Sequence, residues 1–312
     1  MRFVLWAGVL AGSTIISSVA VTWSIRIAER LGAHDHPDGA RKIQQKPIPK
    51  LGGIAIAVAF SIATLGVLTI LGRADTVELA AAVLLPALVA AFIGFVDDAR
   101  NIQPSWRLIL QAGIGTLAWA LGTRIEVVGV VGIDLALTVL WFMVLVNGIN
   151  LLDNSDGLAA ATVLSAAVGA SVIAIMFGQE LFSLLGLALI GVCVGYLRHN
   201  WYPAKVYMGD SGAYFLGTLL AILIIGLRPS SVSPWVGVVI ALLLAALPIL
   251  DTTYVIVRRV RAGIHPFTAG RDHLAHILQD GGRSVAGSVL TLQAGLFVTT
   301  AVAIGVAASQ LA

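Results

Sequence analysis

About ten stretches of this chain are apolar over lengths near or above what a lipid bilayer requires, and no other feature constrains its fold as tightly. They run approximately over 3–25, 52–71, 77–96, 106–122, 136–152, 157–177, 180–197, 211–227, 234–257 and 286–310. These lengths are near or above the ~18 residues at which an apolar run reads as a transmembrane helix. In hydrocarbon each segment must satisfy its own backbone N–H and C=O groups, so spans of this kind are helical. Composition agrees: 58% of the 312 residues are hydrophobic and 11% charged, against about 25% charged in a soluble domain. The expected fold is an all-α integral membrane protein of about ten transmembrane helices, read as a single multi-span domain over 1–312. The first run lacks the strongly basic start of a signal peptide and is longer than its apolar region. One cysteine, Cys193, excludes an intrachain disulfide framework.

Basic residues give the orientation. With the chain's start outside, the inner segments 26–51, 97–107, 153–156, 198–210 and 258–285 hold 15 Lys and Arg. The outer side keeps Arg2, Arg73, Arg124 and Arg228. That asymmetry is the positive-inside pattern, and it places both termini outside a cytoplasmic membrane. The outer segment 124–135, "RIEVVGVVGIDL", alternates apolar β-formers around glycines and is expected as a small hairpin. Every segment dense in polar residues emerges on the same, cytoplasmic side.

Those segments carry the chemistry. Asp97 and Asp98 end the third run, where a carboxylate pair opposes the helix dipole; acids placed so at a membrane boundary point to function. As helix neighbours they project about 100° apart and do not converge on one ion by helix geometry alone. In "NGINLLDNSDGL" Asn147, Asn150, Asp153 and Asp156 recur every three residues, one polar stripe if helical. Capping explains one such residue and not five, Asn154 included, so the stripe is read as a cation or phosphate site. "YMGDSG" sets Asp210 between glycines at the start of a run, after a "RHNWYPAK" segment. Arg198, His199, Asn200, Lys205 and the Tyr207 ring suit phosphate and base recognition.

The last inner segment contains "HPFTAGRDHLAH". His273 and His276 have the i, i+3 spacing of metal-ligand pairs, but Arg271 and the surrounding positive charge favour an anionic ligand. Arg258, Arg259 and Arg261 read as a flexible basic loop on the membrane surface. Ahead of the second run, Pro47, Pro49 and the Gly52–Gly53 step imply a fixed backbone beneath Lys50, while His34 and His36 read as solvated. Asp251, preceded by Pro248 within a run, is expected near the inner mouth of the site in a supporting role. "GVCVG" (191–195) reads as small-residue helix packing, and "GIGTLA" (113–118) lies within a run without the strand a dinucleotide-binding loop requires.

Five of these motifs, "PIPKLGG", "GFVDDARN", "NGINLLDNSDGLAA", "PAKVYMGDSG" and "HPFTAGRDHLAH", stand in an order that resembles the polyprenyl-phosphate N-acetylhexosamine-1-phosphate transferases. The resemblance covers about residues 34–278. It implies Mg²⁺-dependent transfer of a sugar 1-phosphate from a UDP-sugar to a membrane polyprenyl phosphate, with release of UMP. Mn²⁺ is an alternative ion, nucleic acid is not a partner, and small-residue helix faces permit a homodimer. Carried over by position, Asp210 resembles the Mg²⁺ ligand and Asp97 the base that deprotonates the lipid phosphate, with Asp98 beside it. Asn147, Asn150, Asp153 and Asp156 belong to the central motif that positions metal and nucleotide. Asn200 and Tyr207 match uracil contacts, Arg271 and His273 with His276 the diphosphate site, and Lys50 the lipid phosphate.

The chain departs from the common pattern at Gln44, Lys50, Asn154–Ser155 and Ala275, which bears on sugar and acceptor more than on the reaction. Its "RDH" and "PAK" forms are closer to the N-acetylglucosamine-1-phosphate branch than to the related phospho-N-acetylmuramoyl-pentapeptide translocase, the alternative reading. The resemblance leaves open direct attack or an aspartyl-phosphate intermediate. An ion-coupled transporter, the remaining alternative, would place its acids near the bilayer midplane.

Overall fold

A computed structural model describes residues 2–37, 46–72, 75–227, 232–268 and 270–311. Gln44, Arg41 and Lys42 of the early basic segment, and the outer Arg73 and Arg228, lie outside the described residues. The chain is helical almost throughout: α1 (Arg2–Leu31), α2 (Gly52–Leu71), α3 (Thr76–Arg100), α4 (Pro104–Ala120), α5 (Val131–Leu152), α6 (Leu158–Met176), α7 (Glu180–Asn200), α8 (Gly209–Ile225), α9 (Pro234–Leu244), α10 (Ala246–Arg261), α11 (Leu274–Asp280) and α12 (Val285–Ala308). Each of the ten apolar runs falls on one of these helices, with 234–257 divided between α9 and α10. Among the described residues seven helices are long and apolar enough to cross a membrane, and α9–α10 makes an eighth if the bent pair is one span, fewer than the ten runs expected. The protein is thus a multi-pass membrane protein. The bend is 70° at Ala245. Pro248 lacks the N–H that would reach back to Leu244, which breaks the helical ladder there.

Burial sorts the helices. The most apolar stretches of α6 and α7 are 72% and 67% buried and form the centre, whereas α1 and α12 bury only 17% and 22% and line the periphery. α8 is shorter, at 17 residues, and almost wholly buried. Without a hydrophobic driving force between helices in lipid, close packing holds them, and small residues permit it. A Cβ on Gly94 of α3 would stand 2.3 Å from the Asp210 carbonyl oxygen of α8, and one on Gly217 of α8 would stand 2.8 Å from Val146 of α5. Gly191 and Gly195 of α7 press equally closely on the α1 backbone, as the small-residue reading of that segment requires.

The expected outer hairpin is not formed. Residues 121–130 are turn and irregular chain, and α5 begins at Val131. Buried Asp134 accepts the N–H groups of Val127, Val128 and Gly129 at 3.2, 3.0 and 3.0 Å, and Thr138 Oγ1 accepts that of Ile125 at 2.9 Å. The donors a strand ladder would use are thus taken by side chains of the next helix. The strands among the described residues are β1 (His34–Asp35) and β2 (Ile48–Pro49), antiparallel with His34 opposite Pro49.

Candidate active site

One end of the bundle gathers the polar motifs. Chain 47–53 lies along chain 206–208: Tyr207 donates its N–H to Pro49 O at 2.8 Å, and Gly52 and Gly53 donate to Tyr207 O and Met208 O at 3.0 and 3.1 Å. This is the fixed backbone expected beneath Lys50. Its ammonium meets Asp98 Oδ1 at 2.7 Å. Asp98 also accepts the N–H groups of Asp210 and Ser211 at 3.1 and 3.3 Å, so a carboxylate from the end of α3 sits at the N-terminus of α8, the favourable end of that helix's dipole. Burial pulls the Lys50 ammonium's pKa down, but Asp98, then Asp210 and Asp35, outweigh it and raise it above its usual value.

Asp97 diverges from Asp98, as helix geometry requires, and has a separate environment. It is 2% exposed. Its Oδ2 receives the Tyr214 hydroxyl at 2.8 Å and Arg107 Nε at 2.9 Å, and its Oδ1 the Ile102 N–H at 2.9 Å. Asp97 therefore ties α3 to α4 and α8, while Asp98, 12% exposed at its side chain, is the more open member. Arg107 and Tyr214 carried no sequence signal of function.

The central stripe ends α5 and turns into α6. Asp153 follows the last residue of α5; burial raises its carboxyl well above the usual range, Asp210 and Asp98 add to this, and Lys50 opposes it. Three carboxylates thus feel one another with a single ammonium among them. Asp156 accepts the Ala204 N–H at 2.9 Å, which counters the upward shift that burial imposes on it. Tyr207 is half-buried, and burial, then Asp156, Asp35 and Asp153, raise its phenol far above the usual value, so its ring stays neutral. Asn150 is half-buried one turn before Asp153.

Two residues expected at the nucleotide also brace the scaffold. Asn147 pairs with Gln111 of α4 through both amides and donates to Met143 O. Asn200 is 2% exposed; its Oδ1 accepts the Gly157 N–H at 3.0 Å and its Nδ2 donates to Val206 O at 2.8 Å. Gly157 starts α6 with φ +78°, a backbone state that favours glycine, and Asn200 locks that turn to the chain leading into Tyr207. Asn147 spends both amide hydrogens inside the scaffold, whereas Asn200 keeps one N–H and one oxygen lone pair beyond these bonds.

The last motif closes the site from another side. Gln279 of α11 donates to Ser155 Oγ at 3.1 Å, and His276 contacts the Asn154 backbone. Burial, then Arg271 and His273, lower the pKa of His276, whose Nδ1 is buried without a partner. Arg271 is half-exposed beside them. The reading of Arg259 as part of a flexible surface loop is corrected: it is 5% exposed on α10 and grips Asp272 through Nε and Nη2 at 2.8 and 2.6 Å, with Nη1 on Pro266 O at 2.7 Å. Its hydrogen bonds hold the Asp272 carboxyl below the usual range. Asp251 of α10 lies 2.7 Å from His273 Nδ1 through its Oδ2.

Among the described residues no three of His, Cys, Asp and Glu form a metal cage. Mg²⁺ is ordinarily held by one or two carboxylates together with substrate phosphates. Asp210, whose charge helps to raise the Asp153 carboxyl, and Asp153 itself fit that demand.

The profile of glycosyl transferase family 4 matches residues 80–228, a stretch that holds the α3 carboxylates, the α5 stripe and the start of α8. The "Probable undecaprenyl-phosphate N-acetylglucosaminyl 1-phosphate transferase" of Bacillus subtilis (strain 168) is 32% identical over 86% of this chain and 75% of its own length. The decaprenyl-phosphate N-acetylglucosaminephosphotransferase of Mycolicibacterium smegmatis is 30% identical over 90% and 77%. The undecaprenyl-phosphate alpha-N-acetylglucosaminyl 1-phosphate transferase of Escherichia coli (strain K12) is 27% identical over 92% and 81%. With the ordered motifs gathered at one end of the bundle and relatives matched along most of their length, this chain belongs to the family of polyprenyl-phosphate N-acetylhexosamine-1-phosphate transferases.

Proposed function

We propose that this protein transfers N-acetylglucosamine 1-phosphate from UDP-N-acetylglucosamine to a polyprenyl phosphate such as undecaprenyl phosphate, releasing UMP. The observation that carries the reading is the cluster of Lys50, Asp98, Asp153 and Asp210 at one end of the bundle, with Arg107 on the neighbouring Asp97 and the segment of Arg271, His273 and His276 joined to the Asn154–Ser155 turn that follows Asp153. The names of the relatives favour this donor over the muramoyl-pentapeptide nucleotide of the translocase. We further propose ten crossing segments, both termini outside and the site at the cytoplasmic face of the inner membrane; the 15-to-4 distribution of Lys and Arg supports that orientation.

In the reaction an oxygen of the acceptor phosphate attacks the sugar-bearing phosphorus of the donor. The bond from that phosphorus to the bridging oxygen breaks, and its electron pair leaves with UMP. Two polyanions must meet, so positioning and charge neutralisation dominate the catalysis. Asp210 with Asp153 would hold Mg²⁺, or Mn²⁺, which supplies neutralising charge at the diphosphate. Lys50 meets the acceptor phosphate. Asp98, at the open side of the site, receives its proton, while Asp97, expected as that base, is enclosed by Tyr214, Arg107 and the Ile102 N–H and holds Arg107 in place. Direct transfer suits this pair better than an aspartyl-phosphate intermediate, because Asp97 has no free oxygen and Asp98 accepts three donors. Tyr207 stacks on the uracil, Asn150 and Asp156 shape the nucleotide pocket, and Arg271, His273 and His276 face the diphosphate.

The test is UMP release by purified protein given undecaprenyl phosphate, UDP-N-acetylglucosamine and Mg²⁺. Release that requires both lipid and metal, and disappears in Asp210→Asn, is expected. Turnover of UDP-N-acetylmuramoyl-pentapeptide but not of UDP-N-acetylglucosamine would overturn the choice of donor.

A further inference from the structure

Reading Arg271 and His273 as diphosphate contacts leaves a buried carboxylate on another element unexplained. Asp251 of α10 is 1% exposed. Its Oδ2 lies 2.7 Å from His273 Nδ1, and its Oδ1 accepts the Leu274 N–H at 2.8 Å. An ionised carboxylate only accepts, so Nδ1 of His273 carries the hydrogen. The His276 ring, 5.9 Å away and edge-on, further restricts the imidazole. Nε2 has no hydrogen-bond partner among the described residues. Arg259, two turns further along α10, already anchors the same segment through Asp272. A second anchor built from a buried carboxylate and an imidazole therefore does something the first does not: it fixes which ring nitrogen is presented, and in which direction. Histidines that must present one nitrogen commonly have the other held in this way.

We propose that Asp251 is a positioning residue for the transfer reaction, holding His273 in its Nδ1–H form so that Nε2 is the nitrogen offered to the substrate phosphates. The inference rests on the diphosphate reading of His273. In Asp251→Asn, an amide whose oxygen keeps the Leu274 N–H turns its NH₂ toward Nδ1 and drives the ring hydrogen to Nε2. Asp251→Glu keeps an acceptor-only group.

The test compares His273→Ala, Asp251→Asn, Asp251→Glu and the Asp251→Asn/His273→Ala double variant, all as full-length protein in detergent. The readouts are kcat and KM for UDP-N-acetylglucosamine and ¹⁵N-histidine NMR of the ring nitrogens. We expect kcat to fall about 10–100-fold in each of His273→Ala and Asp251→Asn, the usual range for loss of an orienting partner. The double variant should be no slower than His273→Ala, Asp251→Glu should recover part of kcat, and Asp251→Asn should lose the protonated Nδ1 signal. Losses that multiply in the double variant, or equal loss in the Asn and Glu variants, would overturn the proposal. If His273→Ala retains wild-type kcat, the diphosphate reading fails and the positioning role falls with it. If only Asp251→Asn retains it, the positioning role alone is lost.

Discussion

Gly94→Ala tests whether the contact between α3 and α8 sets the geometry of the carboxylate cluster. The new Cβ would lie 2.3 Å from the Asp210 carbonyl oxygen, 2.5 Å from its carbon and 2.6 Å from Ser211 Cα. These are backbone atoms, so no side chain can swing away. Restoring an ordinary 3.4 Å contact requires α3 and the first turn of α8 to separate by about 1.1 Å, the difference between 3.4 and 2.3 Å. That movement draws Asp98 away from the Asp210 and Ser211 N–H groups, now 3.1 and 3.3 Å distant. Overpacking of this kind costs about 1–3 kcal/mol, which a membrane bundle survives. A misplacement of ~1 Å among reacting groups costs about 10²-fold in rate. Gly94→Ala should therefore give a folded, monodisperse protein whose kcat for UMP release is down about 10²-fold. Gly66→Ala on exposed α2 surface, where a Cβ meets nothing within 4 Å, is the matched control and should retain full activity. Wild-type kcat in a folded Gly94→Ala protein would refute the assignment of Asp98 and Asp210 to one rigid site.

Three further outcomes are expected. Tyr207→Ala should raise KM for the UDP-sugar about 10–100-fold with kcat largely kept, since a stacking contact worth about 1–3 kcal/mol is lost from ground and transition states alike; unchanged nucleotide affinity in calorimetry would reject stacking. Asp153→Asn should abolish turnover yet raise the melting temperature in EDTA at neutral pH. The Asp153 carboxyl has a raised folded-state pKa, so its ionisation destabilises the fold as pH rises through that value, and the gain should vanish below the usual carboxylate range, where it is protonated in both states. A melting temperature independent of this substitution at every pH would refute the electrostatic reading. Arg259→Met should speed amide hydrogen exchange across 262–274 by on the order of 2 kcal/mol of local opening, below the 3–5 kcal/mol of a fully buried pair because Asp272 keeps some access to water. The same latch, with the Asp272 carboxyl held low, should stay closed down to the usual carboxylate range and open only as pH falls through its lowered value.

Much of the architecture was legible from local composition. The ten apolar runs coincide with helices because transfer into hydrocarbon is a sum over neighbouring residues, and a window of the chain contains that sum. The polar motifs were legible for the same reason: Asp97, Asp98 and Asp153 stand at helix C-terminal ends beside apolar runs, where local preference would not place a negative charge. Pro49 and Gly52–Gly53 announced a fixed backbone, and the structure shows it joined to Tyr207 and Met208.

What the sequence left undetermined was which polar group satisfies which. Asn147 and Asn200 have the composition of ligand contacts, but their amides close on Gln111, Gly157 and Val206. Asp97 and Asp98 are adjacent in the chain, yet one is sealed by Tyr214, 117 residues away, and Arg107, while the other faces Lys50. Arg259 reads as loop charge and is a buried clamp; the segment 124–135 reads as a hairpin and is folded around Asp134 instead. A hydrogen bond or ion pair is decided by a partner brought near through tertiary packing, and no local window contains that partner. Hydrophobicity, additive and short-ranged along the chain, fixed the helices; the pairing of polar groups, which depends on the packed bundle, decided which of them remain available for chemistry.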